Sequence, residues 1–464
     1  MPPSTVVVLA DDLTSAADGA APFRRNGHRA RVLFAPGGAA PELGVTAVDL
    51  GTRLRGEADA AARTREAAAA YAGADLLIKT VDSTLRGHVA AELRAALAGS
   101  GRRTAILAPA FPSEGRTTVR GVQYVRGVRV DASEFARDPA HPVRSADLAR
   151  LLPDAVVLGP GPARVPEPAR GPAAPVPEPV RDPVPGPVPA LGPVPALGPV
   201  PALGPVPALG RGPALGPVPA LGPVPGPEPR PGREPRPAPA PVPGPGPEPR
   251  PAPVPEQLTE LPRLVEAGGI LVCSAATDAD LDAVVAAVPR PQDVLWVGSP
   301  GLADALARRH ARQPADALPE LPAVRHPLTV VGSANPASRR QLAALRERFT
   351  GEPLAALHTP KERTADPAGP AALIRRLAEE TRGRTEDGRA DGLVLTGGET
   401  AAAVLGALGG TGIELYDEPE PGIARGILHG PAAPRLPVLV KAGGFGDDGT
   451  LVRLHALLAA GGAR

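Results

Sequence analysis

The stretch from Gly161 to Pro255 decides first what this chain can fold into. Nearly every second or third residue there is Pro or Gly, and the hexad Pro-Val-Pro-Ala-Leu-Gly begins at Pro187, Pro193, Pro199, Pro205 and Pro217. Proline removes a backbone donor and fixes φ, so neither a helix nor a central strand can form. Polyproline II broken at each glycine is the expected state, a disordered insert rather than a domain. Collagen is excluded, because glycine recurs every sixth residue in the hexads and a triple helix needs it every third. Val and Leu are isolated between prolines, so the segment cannot bury a core of its own. Stretching a short loop to ~95 residues costs roughly 2 to 3 kcal/mol of closure entropy, which a large domain absorbs. Two readings stand: a docking arm for a Pro-recognition partner, or a repeat expansion in a tolerated surface loop. The second is preferred.

Everything that folds must therefore come from the flanks. Apolar runs at Val6–Leu9, Ala30–Phe34, Val45–Leu50, Ala74–Ile78, Thr104–Ala108, Gly269–Cys273 and Val294–Val297 read as strands. Helical patterns lie between them, at Thr14–Asn26, Ala58–Ala72, Val89–Ala98, Ala279–Val288 and Leu302–Arg312. A second block has runs at Leu328–Val331, Gly392–Thr396, Gly412–Leu415 and Pro437–Val440. Alternation of this kind predicts two α/β domains with mainly parallel sheets, facing each other across a cleft. The expected boundaries are an N-terminal domain over 1–312, interrupted by the insert 161–255, a linker over 313–326, and a C-terminal domain over 327–464.

Lys plus Arg number 50 and Asp plus Glu 49, so no global basic field points to nucleic acid or a membrane surface. One cysteine, Cys273, excludes an internal disulfide and a multi-cysteine zinc site. The start lacks the order of a signal peptide, and no apolar run reaches the ~18 residues of a membrane span. A soluble cytoplasmic protein, compatible with a homo-oligomer, is the expectation.

Chemistry concentrates at strand ends. The run Ala74–Ile78 leads into Lys79-Thr80-Val81-Asp82-Ser83-Thr84-Leu85-Arg86-Gly87, and the first run leads into Asp11-Asp12-Leu13-Thr14. Ligands bind at this edge of open α/β sheets. Asp11, Asp12, Asp82, Ser83, Thr84, Lys79 and Arg86 would share one crevice suited to a small polyhydroxy anion. Arg53 follows another strand and is a carboxylate-clamp candidate. The second block has three glycine turns after strands: Gly332-Ser333-Ala334-Asn335-Pro336, Gly397-Gly398-Glu399-Thr400, and Lys441-Ala442-Gly443-Gly444-Phe445-Gly446. Glycine lets backbone N–H groups approach an anion, and a helix N-terminus adds positive potential. Three such turns in one block point to a phosphate site. No Walker A sequence and no Gly-x-Gly-x-x-Gly after the first strand is present.

The motifs Ala10-Asp11-Asp12-Leu13-Thr14, Asp82–Gly87, Ala108-Pro109-Ala110-Phe111-Pro112, Gly115-Arg116-Thr117-Thr118, Phe135–Pro139 and Val297-Gly298-Ser299 resemble the N-terminal signature of the four-carbon acid sugar kinases. Gly332-Ser333, Gly397–Ala401 and Lys441–Gly446 resemble its nucleotide-binding half. The resemblance spans the chain outside the insert. It implies ATP-dependent phosphorylation of threonate, erythronate or 3-oxo-tetronate at the terminal 4-hydroxyl. The acid would lie on the N-terminal domain, with ATP on Ser333, Gly397, Gly398, Glu399, Thr400, Lys441, Gly443, Gly444, Phe445 and Gly446. The chain departs from the family at Ser15 and Pro300, and in the form of Glu418-Pro419-Glu420-Pro421-Gly422.

Phosphoryl transfer needs charge compensation and in-line positioning. Lys79 or Arg86 would supply the cation or clamp the substrate carboxylate, and Asp12 or Asp82 would accept the hydroxyl proton. Mg²⁺ would arrive with ATP, so no dedicated metal ligands are expected. Structural alternatives stand beside these roles: Asp11 or Asp12 as a helix cap, Asp82 with Arg86 as a helix-face pair, Cys273 as buried filler. A non-catalytic sugar-acid-binding protein that recruits a partner through the Pro-rich arm is the alternative function. Replacing 161–255 by a short Gly/Ser link should leave turnover within about twofold of the full chain, since the segment joins neither core. Steady-state kinetics of the shortened protein checks this, and lost turnover with the fold retained would make the segment a lid.

Overall fold

The computed structural model describes residues 5–35, 44–138, 141–159, 256–313, 320–350, 354–359, 369–431 and 435–459. The Pro-rich segment 161–255 lies outside them. The N-terminal elements are β1 (Thr5–Ala10), α1 (Leu13–Arg25), β2 (Ala30–Leu33), β3 (Gly44–Asp49), α2 (Glu57–Ala70), β4 (Leu76–Thr80), α3 (Val89–Ser100) and β5 (Thr104–Ala108). Next come β6 (Arg116–Val119), β7 (Val122–Val125), β8 (Val128–Arg129), α4 (Leu148–Leu151), β9 (Val156–Leu158), α5 (Leu261–Ala267), β10 (Gly269–Cys273), α6 (Asp278–Ala286), β11 (Val294–Gly298) and α7 (Pro300–Arg309). The C-terminal elements are β12 (Pro327–Val331), α8 (Pro336–Arg348), β13 (Ala356–His358), α9 (Gly369–Glu386), β14 (Gly392–Thr396) and α10 (Gly398–Ala407). They end with β15 (Gly412–Glu420), β16 (Ile423–His429), β17 (Pro437–Lys441) and α11 (Thr450–Ala459).

The expected α/β alternation is there. β1 is a β-branched run with both faces covered: Val6 and Val8 pack into one core, Val7 and Leu9 into another. This is the pattern of a parallel strand with helices on both sides. Strands β2, β3, β1, β4, β11, β5, β10 and β9 run parallel in that spatial order, and β13, β12, β14 and β17 form a second parallel block. Few aromatics mean that small residues fill the interior. Ala16, Ala17, Ala20 and Ala21 of α1 are all buried.

The run Gly412–Leu415 behaves differently from the others. It is part of β15, which pairs antiparallel with β16, and its first residues pair antiparallel with Arg31–Leu33 of β2. β16 in turn pairs antiparallel with β17. The hairpin thereby joins both parallel blocks into one sheet of fourteen strands. A separate sheet of β6, β7 and β8 also escaped the periodicity reading, because each strand is four residues or shorter.

The departure at Pro300 has a local reason. Ser299 Oγ accepts from Gly301 N at 3.3 Å as the cap of α7, and Pro300 occupies the first turn, where its missing N–H costs nothing. Glu418 to Gly422 forms the β15–β16 turn: Gly422 has φ +71°, and its N–H donates to Glu418 Oε1 at 2.9 Å. Among the described residues no helix is long and apolar enough to cross a membrane.

Lys79 is completely buried, with Nζ 2.7 Å from Glu92 Oε2 on α3 and donating to the Thr80 carbonyl at 2.6 Å. Removing one partner of a buried pair strands the other charge. Glu92→Gln should cost about 3 kcal/mol, read as a lower denaturation midpoint, whereas Lys79→Met with Glu92→Leu should recover most of it.

Candidate functional site

The end of β1 carries Asp11 and Asp12, and the end of β3 leads to Arg53. Backbone N–H groups of Thr52 and Arg53 donate to the Asp11 carbonyl at 2.9 and 3.1 Å, which locks the two loops together. Arg53 then grips Asp11 through both carboxylate oxygens, at 2.7 and 3.0 Å, bonds Asp12 Oδ2, and donates to Ser15 Oγ at 2.9 Å. Ser15, a departure from the family pattern, thus supplies an acceptor to this network. Asp12 also caps α1, its Oδ1 accepting from Ser15 N at 2.8 Å and Thr14 Oγ1 at 2.9 Å. The capping reading of Asp12 holds, and the same residue lies within the acidic cluster.

The loop after β4 closes the cluster. Asp82 Oδ1 accepts from Thr84 N at 2.8 Å and Thr84 Oγ1 at 2.7 Å, while Oδ2 lies 2.5 Å from Arg86 Nη2. Asp82 and Arg86 are four apart but sit in a turn, not on a helix face, and Leu85 between them has φ +62°. A left-handed β-turn position is uncommon for a residue with a Cβ, and such strain gathers at functional loops. Arg86 also donates to Thr84 Oγ1, approaches Asp138 and lies over the Phe135 ring. Ser83 and Thr84 are buried, as loop supports.

Electrostatics follow from this packing. Burial raises the carboxyls of Asp11 and Asp82, but Arg53 with Lys79 for the first, and Arg86 with Arg53 and the Thr84 bonds for the second, more than offset it. Both are held below the ordinary range. Asp18, buried on α1 beside Asp12, is pushed well up by burial and by that neighbour. Asp49, at the end of β3, rises to about 7 for the same reasons.

Two expected contacts need correction. Lys79 was expected to touch the ligand, yet its ammonium lies beneath the crevice on Glu92 and acts on Asp11 through charge alone. Arg53 was expected to clamp a substrate carboxylate, but Asp11 and Asp12 already occupy its fork. Arg86 retains partial exposure, 27% of its side chain.

The glycine turns converge as well. A Cβ at Gly332 would strike Thr400 Oγ1 at 1.8 Å, one at Gly443 would strike Ser333 Oγ at 2.1 Å, and Gly397 (φ +101°) lies against Ser333. The ends of β12, β14 and β17 thus form one glycine-lined floor. Ser338 and Gln341 of α8 hold the third loop, donating to the carbonyls of Gly443, and of Phe445 and Asp447, at 2.6 to 2.9 Å. Lys441 and the Phe445 ring are further corrections. Lys441 is buried and donates to the carbonyls of Ala442 and Phe445 at 2.8 and 2.9 Å, so it shapes the loop from below; burial lowers its ammonium to about 7. The Phe445 ring is turned away, edge-on to Phe111 at 5.5 Å between centroids.

The two clusters meet. A Cβ at Gly398 would lie 2.5 Å from Asp12 Oδ2, so the start of α10 abuts the acidic cluster. Glu399, next in line, is raised by burial and by Asp12. Glu114, Arg116 and Gln123 bridge the same region, and sequence reasoning assigned them no role; Gly115-Arg116-Thr117-Thr118 was the available signal.

The acidic strand ends and the glycine-lined strand ends of one α/β sheet thus lie against each other. The chain matches the family models of a "Sugar-binding N-terminal domain" over residues 6–165 and a "Nucleotide-binding C-terminal domain" over 357–451. It is 30% identical to a D-threonate kinase of Bordetella bronchiseptica over 489 aligned positions, covering 96% of this chain and 95% of that protein. A D-threonate kinase of Cupriavidus necator is also 30% identical, with 96% of each chain covered. A 3-oxo-tetronate kinase of Methylobacterium radiotolerans is 34% identical over 153 positions, 31% of this chain and 36% of its own. The fold is shared with a solved Haemophilus influenzae protein at a TM-score of 0.58, with 14% identity and coverage of 97% and 100%. The chain belongs to the four-carbon acid sugar kinase family.

The raised carboxyl of Asp49 gives a pH test. Between the unfolded value near 3.8 and the folded value of about 7 the native state binds the extra proton, so this group's stabilising contribution is lost as pH rises through that window. Asp49→Asn should therefore stabilise the protein relative to wild type more at pH 8 than at pH 4, by on the order of 4 kcal/mol at most, read as a larger rise of the thermal midpoint at pH 8.

Proposed function

We propose that the protein transfers the γ-phosphoryl group of ATP to the terminal 4-hydroxyl of a four-carbon sugar acid. D-threonate is the first candidate, since the relatives matched over their whole length act on it by name. The carrying observation is the abutment of Gly398 on Asp12, which brings a phosphate-type floor and a polar acid-type crevice to one point. The N-terminal half holds the acid and the C-terminal half the nucleotide.

In this reading Gly398, Gly443 and Gly444 present backbone N–H groups to the phosphates, aided by the N-terminus of α10, whereas the N–H groups of Gly397, Phe445 and Gly446 are engaged by the Lys441 carbonyl, the Ala442 carbonyl and Glu114. Arg86 is the exposed cation for the acid's carboxylate or the moving phosphoryl group. Asp12 is the better proton acceptor of the two carboxylates. Asp82 is spent on Thr84 and Arg86 and held strongly acidic, which disfavours taking a proton. Asp12 is tied as well, Oδ1 by its cap and Oδ2 by Arg53, but its Oδ2 stands at the junction with Gly398. Mg²⁺ carried in on the ATP phosphates would supply charge neutralisation, with Asp12 and Glu399 as the carboxylates at hand.

Incubation with ATP, Mg²⁺ and a panel of D-threonate, L-threonate, D-erythronate and 3-oxo-tetronates, read as ADP release, tests the proposal. Turnover with one of them is expected. Asp12→Asn should lower kcat by about 100-fold or more, and Gly444→Val should raise the Michaelis constant for ATP more than that for the acid. Binding of the acid without turnover would favour the non-catalytic alternative.

A further inference from the structure

The small β6–β7–β8 sheet touches both ligand sites that the kinase reading assigns. Gln123 of β7 is completely buried, and its Nε2 donates to the Ser83 carbonyl at 2.7 Å, inside the loop that carries Asp82 and Thr84. Its Oε1 accepts from Thr118 Oγ1 of β6 at 2.6 Å. β6 begins at Arg116, which crosses to the other half. Arg116 Nη2 donates to the Gly444 carbonyl at 3.1 Å, and its guanidinium lies 5.0 Å from the centre of the Phe445 ring. Glu114 steadies Arg116 at 3.0 Å and faces the Gly446 N–H at 3.3 to 3.4 Å. Every link is buried or half-buried, and Arg116 is 2% exposed.

This arrangement is costly to maintain for packing alone. An arginine deprived of water is held by one carboxylate and carbonyl groups, and its Nε has no partner among the described residues. The sheet is also tied firmly to the N-terminal half: Thr118 N donates to Ala275 O, Gln123 N to Ala146 O, and Leu148 N to Gly121 O. A shift of the Ser83 carbonyl is thus passed to a stiff hairpin whose far end grips the third glycine loop.

Resting on the kinase reading above, we propose that Gln123 and Arg116 are positioning residues that couple acid binding to nucleotide binding. When the acid orders the Asp82–Arg86 loop, Gln123 holds the hairpin in register. Arg116 on the Gly444 carbonyl and Glu114 on the Gly446 N–H then fix the loop so that the N–H groups of Gly443 and Gly444 face the phosphates. Coupling of this kind is reciprocal, so each ligand should tighten the other by the same factor.

Calorimetric titration of the full chain with ADP, with and without a saturating amount of the tetronate of highest turnover, measures that factor. Wild type should bind ADP about fivefold or more tightly in the presence of the acid. Arg116→Met and Gln123→Leu should reduce the factor to within about twofold of unity, and the acid titrated in saturating ADP should lose the same factor of affinity, with each ligand's affinity in the absence of the other nearly unchanged. Arg116→Lys should restore the denaturation midpoint but not the coupling, since an ammonium cannot bond Gly444 and Glu114 in a fork and lie flat on Phe445 together. Should either apolar variant fail to fold, Arg116→Lys and Glu114→Gln carry the test. A coupling factor unchanged in folded variants overturns the proposal, as does its absence in wild type that binds both ligands. Failure of wild type to bind either ligand overturns the kinase reading and this inference with it.

Discussion

The guanidinium of Arg53 makes the acidic end of the sheet possible. Asp11, Asp12 and Asp82 lie within its reach, at a buried strand edge where each lone carboxylate would cost several kcal/mol. Arg53 forks onto Asp11, bonds Asp12 and stands 4.0 Å from Asp82. Its own burial disfavours the charge, but the surrounding aspartates outweigh that and fix it as a cation. Without it the aspartates after β1 and β4 would repel, and α1 would lose the orientation of its cap. Asp49 shows what happens just beyond its reach, where a carboxyl is pushed up to about 7.

The other half is built on glycine turns. Gly332 and Gly397 donate to the carbonyls of Thr396 and Lys441, Gly398 starts α10, Lys441 is turned inward onto carbonyls, and Arg116 reaches the Gly444 carbonyl from the N-terminal half. Ser338, Gln341 and Lys441 shape the third loop from below. The acidic cluster and the glycine turns meet at Asp12 and Gly398.

Much of this was legible in the sequence because strands buried on both faces leave continuous apolar runs, and because ligand chemistry collects where those runs end. Val6–Leu9 and Ala74–Ile78 announced β1 and β4, and the residues after them announced the acidic cluster. Side-chain direction was not legible. Lys79 lies within its strand, where alternation turns it toward α3 rather than the crevice, and only the fold supplies Glu92 as its partner. Phe445 and Arg116 are 329 residues apart, so no local pattern could reveal their contact. The antiparallel hairpin was missed for a similar reason: Gly412–Leu415 has the same apolar character as its parallel neighbours, and direction is set by the turn at Gly422.

That hairpin has a mechanical meaning. Enzymes built from two lobes on a flexible strap can swing apart to admit ligands. Here Gly412–Glu414 pairs with Arg31–Leu33 by main-chain hydrogen bonds, so a wide swing would have to shear the middle of a sheet. The described strands act as one continuous girder. In the proposed reading, ligand traffic depends on the turns at the strand ends and not on a swing of whole lobes.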